Sequence, residues 1–157
     1  MSCETMFELA EILPLAAQIK KLYVKACRAV CKKYELTQTE FDILDFLGGN
    51  TGFDTAKEIS RHRQIKKANV STSVERLIKK GYLKRRTDPE DRRFIHLELT
   101  GKAALPMTEI KKTQDDFFSR FFACLSKEEF ETYKNLTEKL LLSIKIYGKK
   151  IDGGSVC

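Results

Sequence analysis

The amino-acid sequence predicts a mainly α chain, six helices with a short β-hairpin between the fourth and the fifth. Three observations predict it. Apolar residues recur at steps of three and four over most of the chain, the period of a helix buried on one face. Three capping boxes, Thr37–Glu40, Thr55–Glu58 and Ser126–Glu129, stand where that period restarts. Between residues 82 and 99 the period changes to alternation on either side of an Asp-Pro turn, which is the pattern of two paired strands.

Residues 1–35 carry the stripe Ile12, Ala16, Ile19, Tyr23, Ala26 and Val30, and read as a long helix with a start or kink at Pro14. Thr37 and Glu40 cap the second helix, with Leu36 and Phe41 placed as a hydrophobic staple, and Gly48-Gly49-Asn50 stops it. Thr55 and Glu58 cap a short third helix that turns Ala56 and Ile59 inward and runs to about Arg63. After a tight turn, Val70, Val74, Leu77 and Ile78 mark the buried face of a fourth helix ended by Gly81. Two short helices joined this closely form a helix-turn-helix. Residues 82–87 and 94–99 are the strands of the hairpin, with Ile95, Leu97 and Leu99 on one face and Phe94, His96 and Glu98 on the other. Asp88-Pro89-Glu90-Asp91 forms the turn, and Arg92 and Arg93 sit at the tip. Thr100 is placed to cap a fifth helix with Pro106 near its start. Ser126 and Glu129 cap a sixth, which carries Phe130, Tyr133, Thr137, Leu140, Ile144 and Tyr147 and ends at Gly148 before a polar tail.

A chain of 157 residues can bury a core without disulfides or metals. No apolar run approaches the ~18 residues of a membrane span. The early acids Glu4, Glu8 and Glu11 are unlike the basic start of a secretion signal, so the expected location is the cytoplasm. The five cysteines (Cys3, Cys27, Cys31, Cys124, Cys157) are odd in number and scattered, which reads as free thiols. Cys27 and Cys31 share a helix face, too far apart for an unstrained bridge, and read as core or interface thiols. His62 and His96 have no partner at metal-ligand spacing. No phosphate-cradling glycine loop, Gly-x-Ser-x-Gly motif or catalytic pairing occurs, so neither an enzyme nor a cofactor is expected.

The net charge is +7, and its location is informative. From Lys57 to Arg93 there are thirteen bases against five acids, while the remainder of the chain is close to neutral. A basic segment between neutral flanks is the footprint of a polyanion partner.

A helix-turn-helix followed by a basic-tipped hairpin is a winged helix-turn-helix. The run Arg85-Arg-Thr-Asp-Pro-Glu-Asp-Arg-Arg-Phe-Ile-His-Leu-Glu-Leu-Thr100 resembles the wing signature of the multiple-antibiotic-resistance regulator (MarR) family, in Asp91-x-Arg93 and in the closing Leu99-Thr100. Leu77-Ile-Lys-Lys-Gly81-Tyr-Leu83 is similar to that family's entry to the wing, and Leu36-Thr37 with Phe41 and Leu44 to its second helix. Lys66-Lys67 stands where the family often has a Thr or Ser cap.

The resemblance implies a homodimeric, DNA-binding transcription regulator acting as a repressor, with a two- to three-stranded wing. It divides the chain into residues 1–35 and 101–148 for dimerisation, 36–100 as the DNA-binding lobe and 149–157 as a tail. On that reading the recognition helix offers Lys66, Lys67, Ala68, Asn69, Ser71, Thr72, Ser73 and Arg76 to the major groove of double-stranded DNA. Asn69, Ser71 and Thr72 meet base edges, and Lys67 and Arg76 meet phosphates. Arg92 and Arg93 enter the minor groove, Asp91 orients Arg93, and Arg85 and Arg86 divide between an ion pair and a phosphate contact. The dimer interface falls on Ile12, Ile19, Phe117, Phe121, Phe130, Leu140 and Ile144, and a small-molecule effector, where there is one, binds between interface and lobe. The rival reading is a redox or ligand sensor whose basic segment docks on an acidic protein surface.

Overall fold

The computed structural model describes residues 12–49 and 52–152. They form six α-helices and one two-stranded sheet: α1 (Ile12–Lys33), α2 (Gln38–Gly49), α3 (Ala56–Arg63), α4 (Lys67–Lys79), β1 (Leu83–Thr87), β2 (Ile95–Leu99), α5 (Ala104–Phe121) and α6 (Lys127–Asp152). Two compact units divide the chain, residues 1–117 and 118–157.

In the first unit the capping chemistry sets the helix starts. The Glu40 carboxylate accepts from Thr37 N at 2.9 Å while Thr37 Oγ1 accepts from Glu40 N at 3.2 Å. Thr55 and Glu58 repeat the reciprocal pair at α3. The turn into α4 passes through Gln64 in the left-handed region, and the Ser60 hydroxyl donates to Ile65 O at 2.7 Å. The core is one cluster that includes Val30, Phe41, Leu44, Ile59, Val70, Leu77, Leu97 and Ile110, so α1 to α5 and the hairpin share a single interior. From α1, the buried Cys27 and Val30 enter it; Ala16 and Ala26, placed on the stripe by their spacing, are exposed. Cys27 is one residue from Ala26 and four from Tyr23, and its larger side chain fills that face. Pro14 is the third residue of α1.

The strands pair antiparallel with Leu83 opposite Leu99 and Arg85 opposite Leu97. A third, minimal strand exists as the bridge Thr55–His96, beside which Leu97 N donates to Asp54 O at 2.8 Å. Ile95, aligned with Leu97 and Leu99 by alternation, is exposed, because it lies beyond the part of the hairpin that the helices cover. Thr100 does not cap α5. Its hydroxyl donates instead to Gly81 O at 2.6 Å, closing the base of the hairpin, and a 3-10 turn over Gly101–Ala103 leads into the helix.

Gly81 has φ +77°, the left-handed geometry that turns α4 into β1. Gly81→Ala should therefore cost about 1 kcal/mol of stability. An unchanged urea midpoint would show that the turn relaxes without strain.

In the second unit, Ser126 and Glu129 form the third capping box, with bonds of 2.8 and 3.3 Å. Phe122 is the hub of an aromatic cluster: its ring centroid is 4.9 Å from Phe121, 5.0 Å from Phe130 and 5.3 Å from Tyr133. Helix α6 continues through Gly148 to Asp152. The expected stop at Gly148 is corrected: an interior glycine costs a helix only about 1 kcal/mol and need not end it. Residues 149–152 are thus helix rather than tail, and residues 153–157 lie outside the described part.

Candidate nucleic-acid interface

Helix α4 packs on α2 and α3 with Val70, Val74 and Leu77 and leaves the opposite arc open. Lys66, Lys67, Ala68, Asn69, Ser71, Thr72 and Arg76 are all exposed on it. Ser73 is not: it is only 6% exposed. It stands three residues after Val70 and four before Leu77, which puts it on the buried stripe rather than beside Thr72. The Thr72 hydroxyl donates back to Ala68 O at 3.0 Å, which turns its methyl and remaining lone pair outward. Lys66 is the N-cap of α4 and makes no side-chain cap bond. Within that first turn the Asn69 N–H donates to Lys66 O at 2.9 Å.

The C-terminus of α4 is anchored from below. Lys80 Nζ donates to Glu40 Oε2 at 2.8 Å and to Glu35 O at 2.5 Å, and Glu40 is completely buried. One acid thus caps α2 and ties down the end of α4, fixing the angle at which α4 is presented.

On the wing, Asp91 grips Arg93 with both oxygens: Nη2 to Oδ2 is 2.8 Å and Nε to Oδ1 is 3.0 Å, and the Arg93 N–H adds a third bond of 3.0 Å. The guanidinium, then the backbone N–H, hold the Asp91 carboxyl below its usual range. The Arg93 side chain remains 88% exposed. Arg85 and Arg86 both lie in ion pairs within the chain. Arg85 pairs with Glu75 of α4, and Arg86 pairs with Glu98, which also takes Lys84 at 3.0 Å. The register places Lys84 opposite Glu98 and Arg86 opposite His96, so Glu98 lies within reach of both bases. Lys66, Lys67, Arg76 and Arg92 have no carboxylate partner among the described residues.

Sequence reasoning missed the partners of four acids that shape this surface: Lys80 for Glu40, Arg85 for Glu75, Lys84 and Arg86 for Glu98, and His96 for Asp54. It also left His96 alone, whereas His96 lies between Asp54 and Asp88. The signal for Glu98 was present in the strand alternation opposite Lys84. For Glu40, Glu75 and Asp54 there was none, since their partners are distant in sequence.

Of the interface residues expected from the terminal helices, Ile19, Phe117, Phe121 and Phe130 are half-buried, and Leu140 and Ile144 are 64% and 66% exposed. Phe117 meets Tyr23 edge-on at 5.3 Å. The side chain of Ile12 lies outside the described residues. Cys27 is buried and burial pushes its thiol up to about 11, so it is not a reactive thiolate near neutrality. Burial also raises the Cys31 thiol. Among the described residues no three His, Cys, Asp or Glu side chains form a metal-binding group, and no helix is long and apolar enough to cross a membrane.

A helix-turn-helix with a basic open arc, followed by a hairpin whose tip carries an oriented arginine, defines a winged helix-turn-helix protein. Residues 34–93 match the sequence model of the MarR family. The chain is 28% identical over 121 residues to the HTH-type transcriptional regulator BilQ of Clostridioides difficile, covering 76% of each protein. It is 31% identical over 75 residues to the transcriptional repressor MprA of Escherichia coli, covering 48% of this chain and 43% of that protein. Its fold is similar to a MarR protein from Peptoclostridium difficile, with TM-score 0.76 and 22% identity over 89% of this chain and 91% of that one. The likeness to the MarR family's sequence pattern thus lies in residues 34–93, and the fold is that of the winged-helix structures it resembles.

Proposed function

We propose that the protein is a repressor that binds a palindromic operator as a homodimer, reading bases in the major groove with α4 and reaching the minor groove with the wing. The observation that carries this reading is the wing tip, where Asp91 spends both oxygens on Arg93 and leaves its guanidinium exposed. A carboxylate at a DNA-facing tip would repel phosphate; consumed in a two-point grip, it aims an arginine instead. The open arc of α4 fits the same reading. Small polar side chains at Asn69, Ser71 and Thr72 permit close approach to base edges, and Lys66, Lys67 and Arg76 flank them for phosphates.

Dimerisation is assigned to residues 1–35 and 101–148. Helix α6 supports this: Leu136, Leu140, Leu141, Leu142, Ile144 and Ile146 are all more than half exposed, far more apolar surface than a solvated helix carries. A second copy buries such a surface, and its two-fold symmetry places two half-sites about one DNA turn apart. A small-molecule effector that releases the operator belongs to the same proposal, as does a cytoplasmic location.

The test is selection of bound sequences from a random duplex library at ~150 mM salt. A palindromic motif with half-sites about one turn apart is the expected result; recovery without any motif overturns the proposal. Asn69→Ala should relax base preference at one symmetric pair of positions in the selected motif. A uniform loss over all sequences would instead make Asn69 a phosphate contact.

A further inference from the structure

We propose that His96 is the positioning residue for Arg93: as an imidazolium it clasps Asp54 and Asp88 together, and through the turn that Asp88 folds it holds the wing tip in the form that engages DNA. The inference rests on the assignment of the wing to DNA made above.

The geometry fixes the protonation state the clasp needs. His96 Nδ1 lies 2.5 Å from Asp54 Oδ1, and Nε2 lies 3.1 Å from Asp88 Oδ2. An ionised carboxylate can only accept, and a neutral imidazole carries only one N–H. Both contacts are hydrogen bonds only when both ring nitrogens carry protons. In the neutral ring one nitrogen lone pair faces a carboxylate oxygen, and that side of the clasp opens.

Each end of the clasp is built into something else. Asp54 belongs to the rigid lobe: its N–H donates to Glu58 Oε2 of the α3 capping box at 3.1 Å, and its carbonyl accepts from Leu97 N. Asp88 organises the wing turn. Its Oδ1 accepts from Glu90 N at 2.7 Å and from Asp91 N at 3.0 Å, and Asp91 in turn holds Arg93. A continuous path of hydrogen bonds therefore runs from the cap of α3 through His96 to the arginine at the tip. The remaining charges around His96 are Arg86, opposite it in register and itself paired with Glu98, which also holds Lys84, and Glu58 behind Asp54. Asp54 and then Asp88 lift the imidazole above its ordinary 6.5, with Arg86 opposing. Asp88 is itself held below the usual carboxylate range, first by the N–H groups of Asp91 and Glu90 and then by His96. The sign follows: the clasp is complete below the ordinary histidine pKa and is lost as pH rises through the raised value.

Two measurements test this on the full chain. In the free protein, a nuclear magnetic resonance titration should place His96 above pH 6.5, with the Glu90 and Asp91 amide signals moving at the same midpoint, and Asp54→Asn and Asp88→Asn should each lower it. A midpoint at or below 6.5, or amides that ignore it, overturns the clasp whether or not the chain binds DNA. Affinity for the selected operator at constant ionic strength should fall roughly fivefold from pH 6 to 8.5, the scale of one charge-assisted hydrogen bond at a partly exposed site. His96→Gln and Arg93→Ala should both flatten that profile. A fall that persists in Arg93→Ala would mean that the His96 charge acts on phosphate directly, and the positioning role is overturned. Absence of any operator binding by the wild-type chain at every pH defeats the DNA-binding proposal instead, and the free-protein titration still decides the clasp.

Discussion

Glu40→Ala should lower folding stability by about 3 kcal/mol. Glu40 is completely buried at the start of α2, and it serves two partners at once: Thr37 N of its own cap and Lys80 Nζ at the end of α4. Alanine removes the cap and leaves the Lys80 ammonium with only the Glu35 carbonyl among its described partners. It also opens a cavity where the side chain stood. Removal of a cap alone costs about 1 kcal/mol, and breaking a buried pair by deleting one partner costs several times that; Lys80 is part-exposed, which keeps the total below the full value for a buried pair. Glu40→Gln retains an oxygen for both donors and should lose clearly less. The check is urea unfolding of the full chain, read as a shift in midpoint at unchanged slope. A loss below about 1 kcal/mol in Glu40→Ala would show that the pair with Lys80 adds nothing beyond the cap.

Arg93→Ala should weaken operator binding about five- to 150-fold while leaving dimerisation unchanged. The side chain contributes nothing to the core: it is 88% exposed, and its only described carboxylate partner is Asp91. The mutation also releases that partner. Asp91 then stands at the wing tip as an uncompensated negative charge facing the DNA, so the loss should exceed that of Arg92→Ala. Titration of labelled operator and sedimentation of the free protein measure the two halves. Unchanged affinity would falsify the wing assignment, and a shift in oligomeric state would move Arg93 from the DNA surface to the dimer.

The two predictions concern acids of different legibility. Asp91 was readable only through the likeness of Asp91-x-Arg93 to the wing signature, and its partner is two residues away. Glu40 was readable as a cap, again a contact over three residues, but its pairing with Lys80 spans forty positions and nothing local announces it. The same division runs through the rest of the molecule. The three capping boxes were visible as written because each closes within one turn of helix, and the buried face of α4 because periodicity alone orders Val70, Val74 and Leu77. The burial of Ser73 follows from its spacing of three from Val70 and four from Leu77, a signal that its polar side chain masks. The local setting of Thr100 allows a helix cap, but its hydroxyl bonds Gly81, which only the closure of the hairpin brings near.

Local contacts and periodicity therefore carried the order of helices and hairpin and the capped starts of α2, α3 and α6, and the wing signature carried the Asp91–Arg93 grip. All of these depend on contacts within a turn or on the period of apolar residues. Only the tertiary structure decided which bases are already held by acids, that Arg85 belongs to Glu75, that Glu40 anchors the end of α4, and that His96 joins Asp54 to Asp88. Electrostatic partners act over a few ångströms in space, and the residues that meet at that range are chosen by the packing of the whole lobe rather than by their neighbours along the chain.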